Sequence, residues 1–204
     1  GIAKQCLSIV RRWANERNQW GAPIGKHDAI AGKIASMASN VFAMEAITWL
    51  ASAMVDRGGA DVRIEAAMAK LFGSEMLWQI VDDTVQIRGG RGYETAQSLR
   101  ARGEPAIPVE RMLRDSRINL IIEGTSQIMR LFIAREALDA HMRIVGQLLD
   151  PHQSIPGKLK AALAAGGRYA VWYPQQWLAW TWWPRAEHFG PRLAGHLRFI
   201  ERAS

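Results

Sequence analysis

Glu123 stands in the run Ile121-Ile122-Glu123-Gly124-Thr125-Ser126-Gln127-Ile128, a carboxylate placed between apolar residues and a Gly-Thr break. A carboxylate flanked by apolar groups loses hydration of its charged form, its pKa rises, and it becomes a stronger base toward carbon acids. These eight residues therefore make Glu123 a candidate general base. The same pattern also suits a first-turn acid favoured by a helix dipole, or a solvated side chain.

Other residues bear on binding rather than proton transfer. The Gly89-Gly90 pair in Gln86-Ile87-Arg88-Gly89-Gly90-Arg91-Gly92-Tyr93 reads by itself as a helix stop, at residues that also permit a close backbone approach. Arg17, with Gln19 beside it, reads by itself as a solvated arginine at a helix end. Thr125 or Ser126 can cap a helix whose apolar stripe is Ile128, Leu131, Phe132, Leu138, Met142, Val145 and Leu149. The scattered histidines, among them His27, His141 and His152, lack metal-ligand spacing. The single cysteine, Cys6, excludes an internal disulfide framework and a cysteine cluster for zinc, and suits a reducing compartment.

The elements that position these groups are helical. Apolar residues recur at helical spacing over the first 150 positions, without sustained alternation or an Asn-Gly hairpin signal. The spacing predicts helices over about 1–19, 27–57 and 61–87. An irregular segment of about 15 residues follows Gly92, and Pro108 then opens a short helix to about Leu120. Long antiparallel helices with short breaks mean an all-α, up-and-down bundle over 1–150. Pro151, Pro156 and Gly157 mark a boundary. A short Lys/Ala-rich helix then leads into a partly helical extension over 151–204, read as the opening of a further helical region.

With 49% hydrophobic and 22% charged residues, the 204-residue chain has the composition of a soluble globular protein. It begins Gly-Ile-Ala-Lys in what reads as mid-helix, as a piece of a longer protein would. No continuous apolar run approaches the roughly 20 residues that span a bilayer, and nothing resembles a signal peptide. The net charge of +7 is uneven: residues 1–150 carry 19 Lys and Arg against 17 Asp and Glu, whereas 151–204 carry 7 against 2. The basic tail also holds Trp172, Trp177, Trp180, Trp182 and Trp183 beside Tyr169 and Tyr173.

Several motifs coincide in order: Asn15-Glu16-Arg17-Asn18-Gln19-Trp20-Gly21-Ala22-Pro23-Ile24-Gly25, the Gln86–Tyr93 segment, Arg114-Asp115-Ser116-Arg117-Ile118, Glu123-Gly124-Thr125 and Ala134-Arg135-Glu136. Together, over about residues 1–145, they resemble the C-terminal helical domain of the flavin-dependent acyl-CoA dehydrogenases, in particular the longer members with an extra C-terminal domain. The resemblance implies that an N-terminal helical domain and a middle β domain precede this bundle in the parent protein, and that the fragment alone is inactive. It implies oxidation of an acyl-CoA to a trans-2-enoyl-CoA, with the α-proton taken by a carboxylate and a hydride passed from the β-carbon to FAD. Glu123 falls on the family's base motif, with its backbone N–H as one donor to the thioester carbonyl and a flavin ribityl hydroxyl as the other. Gly124 lets the substrate approach, and Ile121 and Ile122 help to exclude water.

By the same resemblance Arg17, Gln19, Gln86, Gly89, Gly90, Thr125 and Gln127 contact FAD, Arg17 across a subunit interface. Asp28 stands where many relatives have Gln, which puts that cofactor contact in doubt, and segment 94–107 is longer than in the shortest members. The resemblance further implies a homodimer or homotetramer, an electron-transfer flavoprotein as electron acceptor, and a cytoplasmic location in a bacterium or the mitochondrial matrix in a eukaryote. The alternative within the same fold is a non-catalytic structural or assembly member. A nucleic-acid partner is not expected, because the main domain is nearly charge-balanced and carries no recognisable binding module. The Trp-rich tail is expected to pack within the extra domain. Its competing reading is a peripheral membrane patch, since Trp with Lys and Arg suits an interface.

Overall fold

The structure, a computed structural model, describes residues 1–59 and 61–178. Its elements are α1 (Ile2–Glu16), a two-stranded hairpin of β1 (Asn18–Gln19) and β2 (Ala22–Pro23), α2 (Asp28–Arg57), α3 (Arg63–Arg88), the short α4 (Gly90–Tyr93) and α5 (Ala96–Ala101), α6 (Val109–Arg117), α7 (Ser126–Leu149) and α8 (Ile155–Leu178). By backbone contacts the chain divides into two units, Gly1–Ala137 and Leu138–Ser204, and α7 runs across that division.

In the first unit α3 is the central helix, packed against α1, α2 and α6. Helix α1 faces the core with Ala3, Cys6, Val10 and Ala14, a spacing of three or four residues that places all four on one side of a helix. They meet Met37 and Val41 of α2, Ile80, Val81 and Ile87 of α3, and Met112 of α6. Burial pushes the Cys6 thiol above its ordinary pKa.

Local structure departs from the sequence reading in four places. Helix α1 stops at Glu16, because residues 18–23 form an antiparallel hairpin with Asn18 opposite Pro23 and Gln19 opposite Ala22. Its two-residue loop, Trp20-Gly21, has φ of 49° and 78°, the left-handed pair that matches strand twist and is usually signalled by Asn-Gly. The segment after Gly92 is not wholly irregular: Thr95 caps α5 by accepting a hydrogen bond from the Ser98 N–H at 3.2 Å. Beyond Pro151 the helix is long rather than short, continuing to Leu178 with Pro174 inside it.

The fourth departure concerns α2. Although interrupted by charges, this 30-residue helix contains a window of mean hydropathy 1.2, long and apolar enough by length and composition to cross a membrane. Two of its charged residues nevertheless pair with neighbouring bundle helices, Lys33 with Asp83 of α3 and Glu45 with Lys4 of α1. Phe42, Trp49 and Leu50 of α2 remain 74%, 70% and 62% exposed in this chain.

In the second unit His141 Nδ1 lies 2.8 Å from the Tyr169 hydroxyl, and the two rings stack with centroids 5.7 Å apart. Trp172 meets both rings edge-on. The Trp-rich stretch beyond Leu178, and the helix expected from Pro191, lie outside the described residues.

Candidate active site and flavin-contact grooves

Glu123 sits on a turn of unusual geometry. After α6 a short 3-10 helix (Ile118–Leu120) ends with the N–H groups of Ile121 and Ile122 both donating to the Ile118 carbonyl, at 2.9 and 3.0 Å. The chain then places Glu123 at φ 54° and Gly124 at φ 93° before α7 begins. For a residue with a Cβ the left-handed region costs roughly 1 kcal/mol or more, so this turn is held by its surroundings. Thr125 caps α7: its hydroxyl accepts from the Ile128 N–H at 3.3 Å and its carbonyl from the Met129 N–H at 2.9 Å. From α3, Lys70 donates to the carbonyl oxygen of Gly124.

The Glu123 side chain is exposed, and Ile121 and Ile122 are 50% and 46% exposed. The apolar flank expected to dry the carboxylate therefore does not do so within this chain. Sequence adjacency places the isoleucines beside Glu123, but only packing against further protein or a ligand would remove water from them. Among the described residues the Glu123 N–H has no acceptor.

Beside this turn a groove of about 490 Å³ runs between α3 and the start of α7. Thr125 and Gln127 line it, together with Ser126, Arg117, Trp78 and Arg130. The Arg117 guanidinium lies over the Trp78 ring at 5.6 Å, and Arg130 donates to both carboxylate oxygens of Glu75. The Ser126 hydroxyl is buried without a hydrogen-bond partner among the described residues.

A second groove, also about 490 Å³, collects Arg17, Gln19, Gly89 and Gly90. Arg17 is fixed through its backbone: its N–H donates to the Trp13 carbonyl at 2.8 Å and its own carbonyl accepts from Ile24 N–H at 2.8 Å. A ring nitrogen of His27 lies 3.1 Å from the Gln19 carbonyl oxygen, and Trp20 meets the same ring edge-on. On the facing side α3 ends at Gly89, whose φ of 61° turns the chain into α4. Gln86 lies one turn earlier, exposed, and accepts the Gly89 N–H at 3.2 Å, but it does not line this groove.

The charge of this second groove is one-sided. Arg17, Arg88 and Arg91 line it with no Asp or Glu, beside the apolar Trp13, Trp20, Ile24, Ile30 and Ile87. Such a surface suits an anionic group attached to a flat apolar one. Apart from Gln86, the sequence-expected residues thus fall into two clusters, with Glu123 and Gly124 on the turn beside the first groove. The sequence reading missed Lys70 as the tie to that turn, and Trp13, which donates to the Ile87 carbonyl at 3.1 Å and carries Arg88 over its ring. The recurrence of arginine around 88–102 was the available signal for the latter cluster.

Comparison with known proteins shows the family of this chain. The family model "Acyl-CoA dehydrogenase, C-terminal domain" matches residues 1–138. A probable acyl-CoA dehydrogenase, FadE10, of Mycobacterium tuberculosis is 52% identical over 204 residues, which is 100% of this chain and 31% of that protein. The mitochondrial very long-chain specific acyl-CoA dehydrogenase of Bos taurus is 42% identical over 134 residues, covering 66% of this chain and 19% of the relative. Among solved structures, butyryl-CoA dehydrogenase from Megasphaera elsdenii superposes with a TM-score of 0.59 at 28% identity, covering 67% of this chain and 33% of that one. The chain spans less than a third of the length of these curated relatives. It belongs to the acyl-CoA dehydrogenase family, whose C-terminal domain its residues 1–138 match.

Proposed function

We propose that the chain supplies the catalytic base and part of the flavin site of an FAD-dependent dehydrogenase that oxidises an acyl-CoA to its trans-2-enoyl-CoA. The observation that carries this reading is the Glu123 turn: a carboxylate on a left-handed backbone, anchored by Lys70 and by the cap of α7, with its own N–H open.

The chain's residues fit such a cofactor. Arginine without a lining carboxylate suits phosphate, and the glycines at 89 and 90 have open space where a Cβ would stand. Arg17, Gln19, Gly89 and Gly90 would hold one part of a dinucleotide; Thr125 and Gln127 line the other groove, beside the base. FAD, when bound, supplies the acceptor for the hydride that leaves the β-carbon.

The Glu123 carboxylate takes the α-proton, a very weakly acidic one, so the site must be dry and the charge developing on the thioester oxygen must meet a donor. The open N–H of Glu123 is such a donor, at the same residue as the base. Ile121 and Ile122 become the water-excluding wall once substrate or the remaining domains cover them. The exposed apolar residues of α2 support a further protein surface there, in line with a homodimer or homotetramer. An electron-transfer flavoprotein is the proposed electron acceptor, and the isolated chain is inactive because it spans only part of the enzyme.

The test is anaerobic titration of the purified full-length parent with acyl-CoAs of graded chain length. Bleaching of bound flavin by at least one of them is expected. Bound flavin that no acyl-CoA reduces would contradict the proposal.

A further inference from the structure

Arg88 is the residue of the arginine-lined groove whose state most needs explaining. The residue is only 6% exposed, and among the described residues its buried Nε has no hydrogen-bond partner and its guanidinium makes no ion pair. Its guanidinium lies 4.8 Å from the centre of the Trp13 ring. Burial lowers its pKa from the ordinary guanidinium value, yet arginine stays protonated at any physiological pH. A buried cation supported by one aromatic face is costly unless an anion completes it.

Among the described residues two carboxylates, Glu16 and Glu104, lie near enough to favour the charged form of Arg88, but neither reaches it through a hydrogen bond or ion pair. Glu104 lines the adjoining groove with Arg88, but its two oxygens already accept from Arg91, at 2.6 and 2.8 Å, and from Arg102 at 2.7 Å. On the other side Arg88 faces the groove it shares with Arg17, Gly89 and Gly90, where no acid stands. The planar fork of arginine, fixed against an indole, is organised in advance for a phosphate.

We propose that Arg88 is a phosphate-binding residue of this groove, held in place by Trp13 and completed by the pyrophosphate of the dinucleotide cofactor. The inference rests on the reading that the groove receives part of FAD. It adds to that reading a buried cation lining the same groove as the exposed Arg17.

The experiment uses the full-length parent, stripped of flavin, with FAD affinity read from flavin fluorescence and ADP as a pyrophosphate probe read from the melting temperature. Arg88→Met, which keeps much of the packing volume, is expected to bind FAD roughly 10- to 100-fold more weakly, the loss of a hydrogen bond to a charged group. It should also lose most of the ADP-induced rise in melting temperature, and its FAD affinity should fall less steeply with added salt. A merely structural role would leave the salt dependence and the ADP response unchanged. Should Arg88→Met not fold, Arg88→Lys decides, because a point charge cannot reproduce the stacked fork: an affinity several-fold below wild type supports the proposal, and wild-type affinity overturns it. If Arg17→Met weakens FAD binding and Arg88→Met does not, the role of Arg88 is overturned while the groove reading stands. If neither does, the groove reading falls and the role of Arg88 with it.

Discussion

The ammonium of Lys70, in the N-terminal third of α3, donates a hydrogen bond to the backbone carbonyl oxygen of Gly124, one residue beyond the candidate base. This contact joins the central helix of the bundle to the turn on which Glu123 and Gly124 both adopt positive φ. A left-handed pair without such a tie would relax toward ordinary backbone and carry the carboxylate with it. Lys70 therefore holds the turn that carries Glu123, the candidate base.

Lys70→Met in the parent enzyme should lower kcat by about tenfold or more, because small misplacements of a reacting group are costly. KM should change less than kcat, and the melting temperature by only a few degrees. Steady-state kinetics with thermal melting checks this; unchanged kcat would show that the turn holds itself.

Gly92 tests the packing that sets the groove at the end of α3. A Cβ there would stand 2.6 Å from the Val85 carbonyl oxygen and 2.8 Å from Val85 Cα, both backbone atoms of α3. Neither can move without bending the helix. Gly92→Ala should destabilise the bundle by about 1–3 kcal/mol, as overpacking does. Urea unfolding of the parent measures it, and wild-type stability would contradict the close approach.

Glu104 ties Arg91 to Arg102, and these two guanidinium groups hold its carboxyl down to about 2. Because the folded value lies below the unfolded one, the contribution is complete above the unfolded carboxylate range and is lost as pH falls from about 4.5 toward 2. Wild type should therefore melt above Glu104→Gln at neutral pH, and the gap should close on acidification through that window. A gap that stays constant down to pH 3 would mean that the network is not electrostatic. Added salt should also narrow it, since the group is solvent-accessible.

How much of this was legible in the chain depends on whether the cause was local. The core face of α1 was legible because Ala3, Cys6, Val10 and Ala14 recur at helical spacing, and the cap of α7 because Thr125 precedes its apolar stripe. The hairpin was not, because its loop uses Trp20 at positive φ, where sequence statistics lead one to seek Asn. The tie from Lys70 to Gly124 joins residues 54 positions apart and leaves no periodic trace. Exposure of Ile121 and Ile122 was equally hidden, since an apolar pattern says that a surface seeks cover and not which element supplies it. The two grooves followed the motifs in part: Gly89 and Gly90 meet Arg17 and Gln19, while Gln86 of the same motif lies outside.

The most direct test of the central claim replaces Glu123 by Gln in the full-length flavoprotein and follows anaerobic flavin reduction by an acyl-CoA that reduces the wild type. The amide keeps the side chain's size but cannot take the α-proton. The expected result is normal flavin content with reduction slowed by roughly 10²- to 10⁴-fold, the span of a lost general base. Reduction at the wild-type rate in a flavin-replete Glu123→Gln enzyme would contradict the assignment of Glu123 as the base.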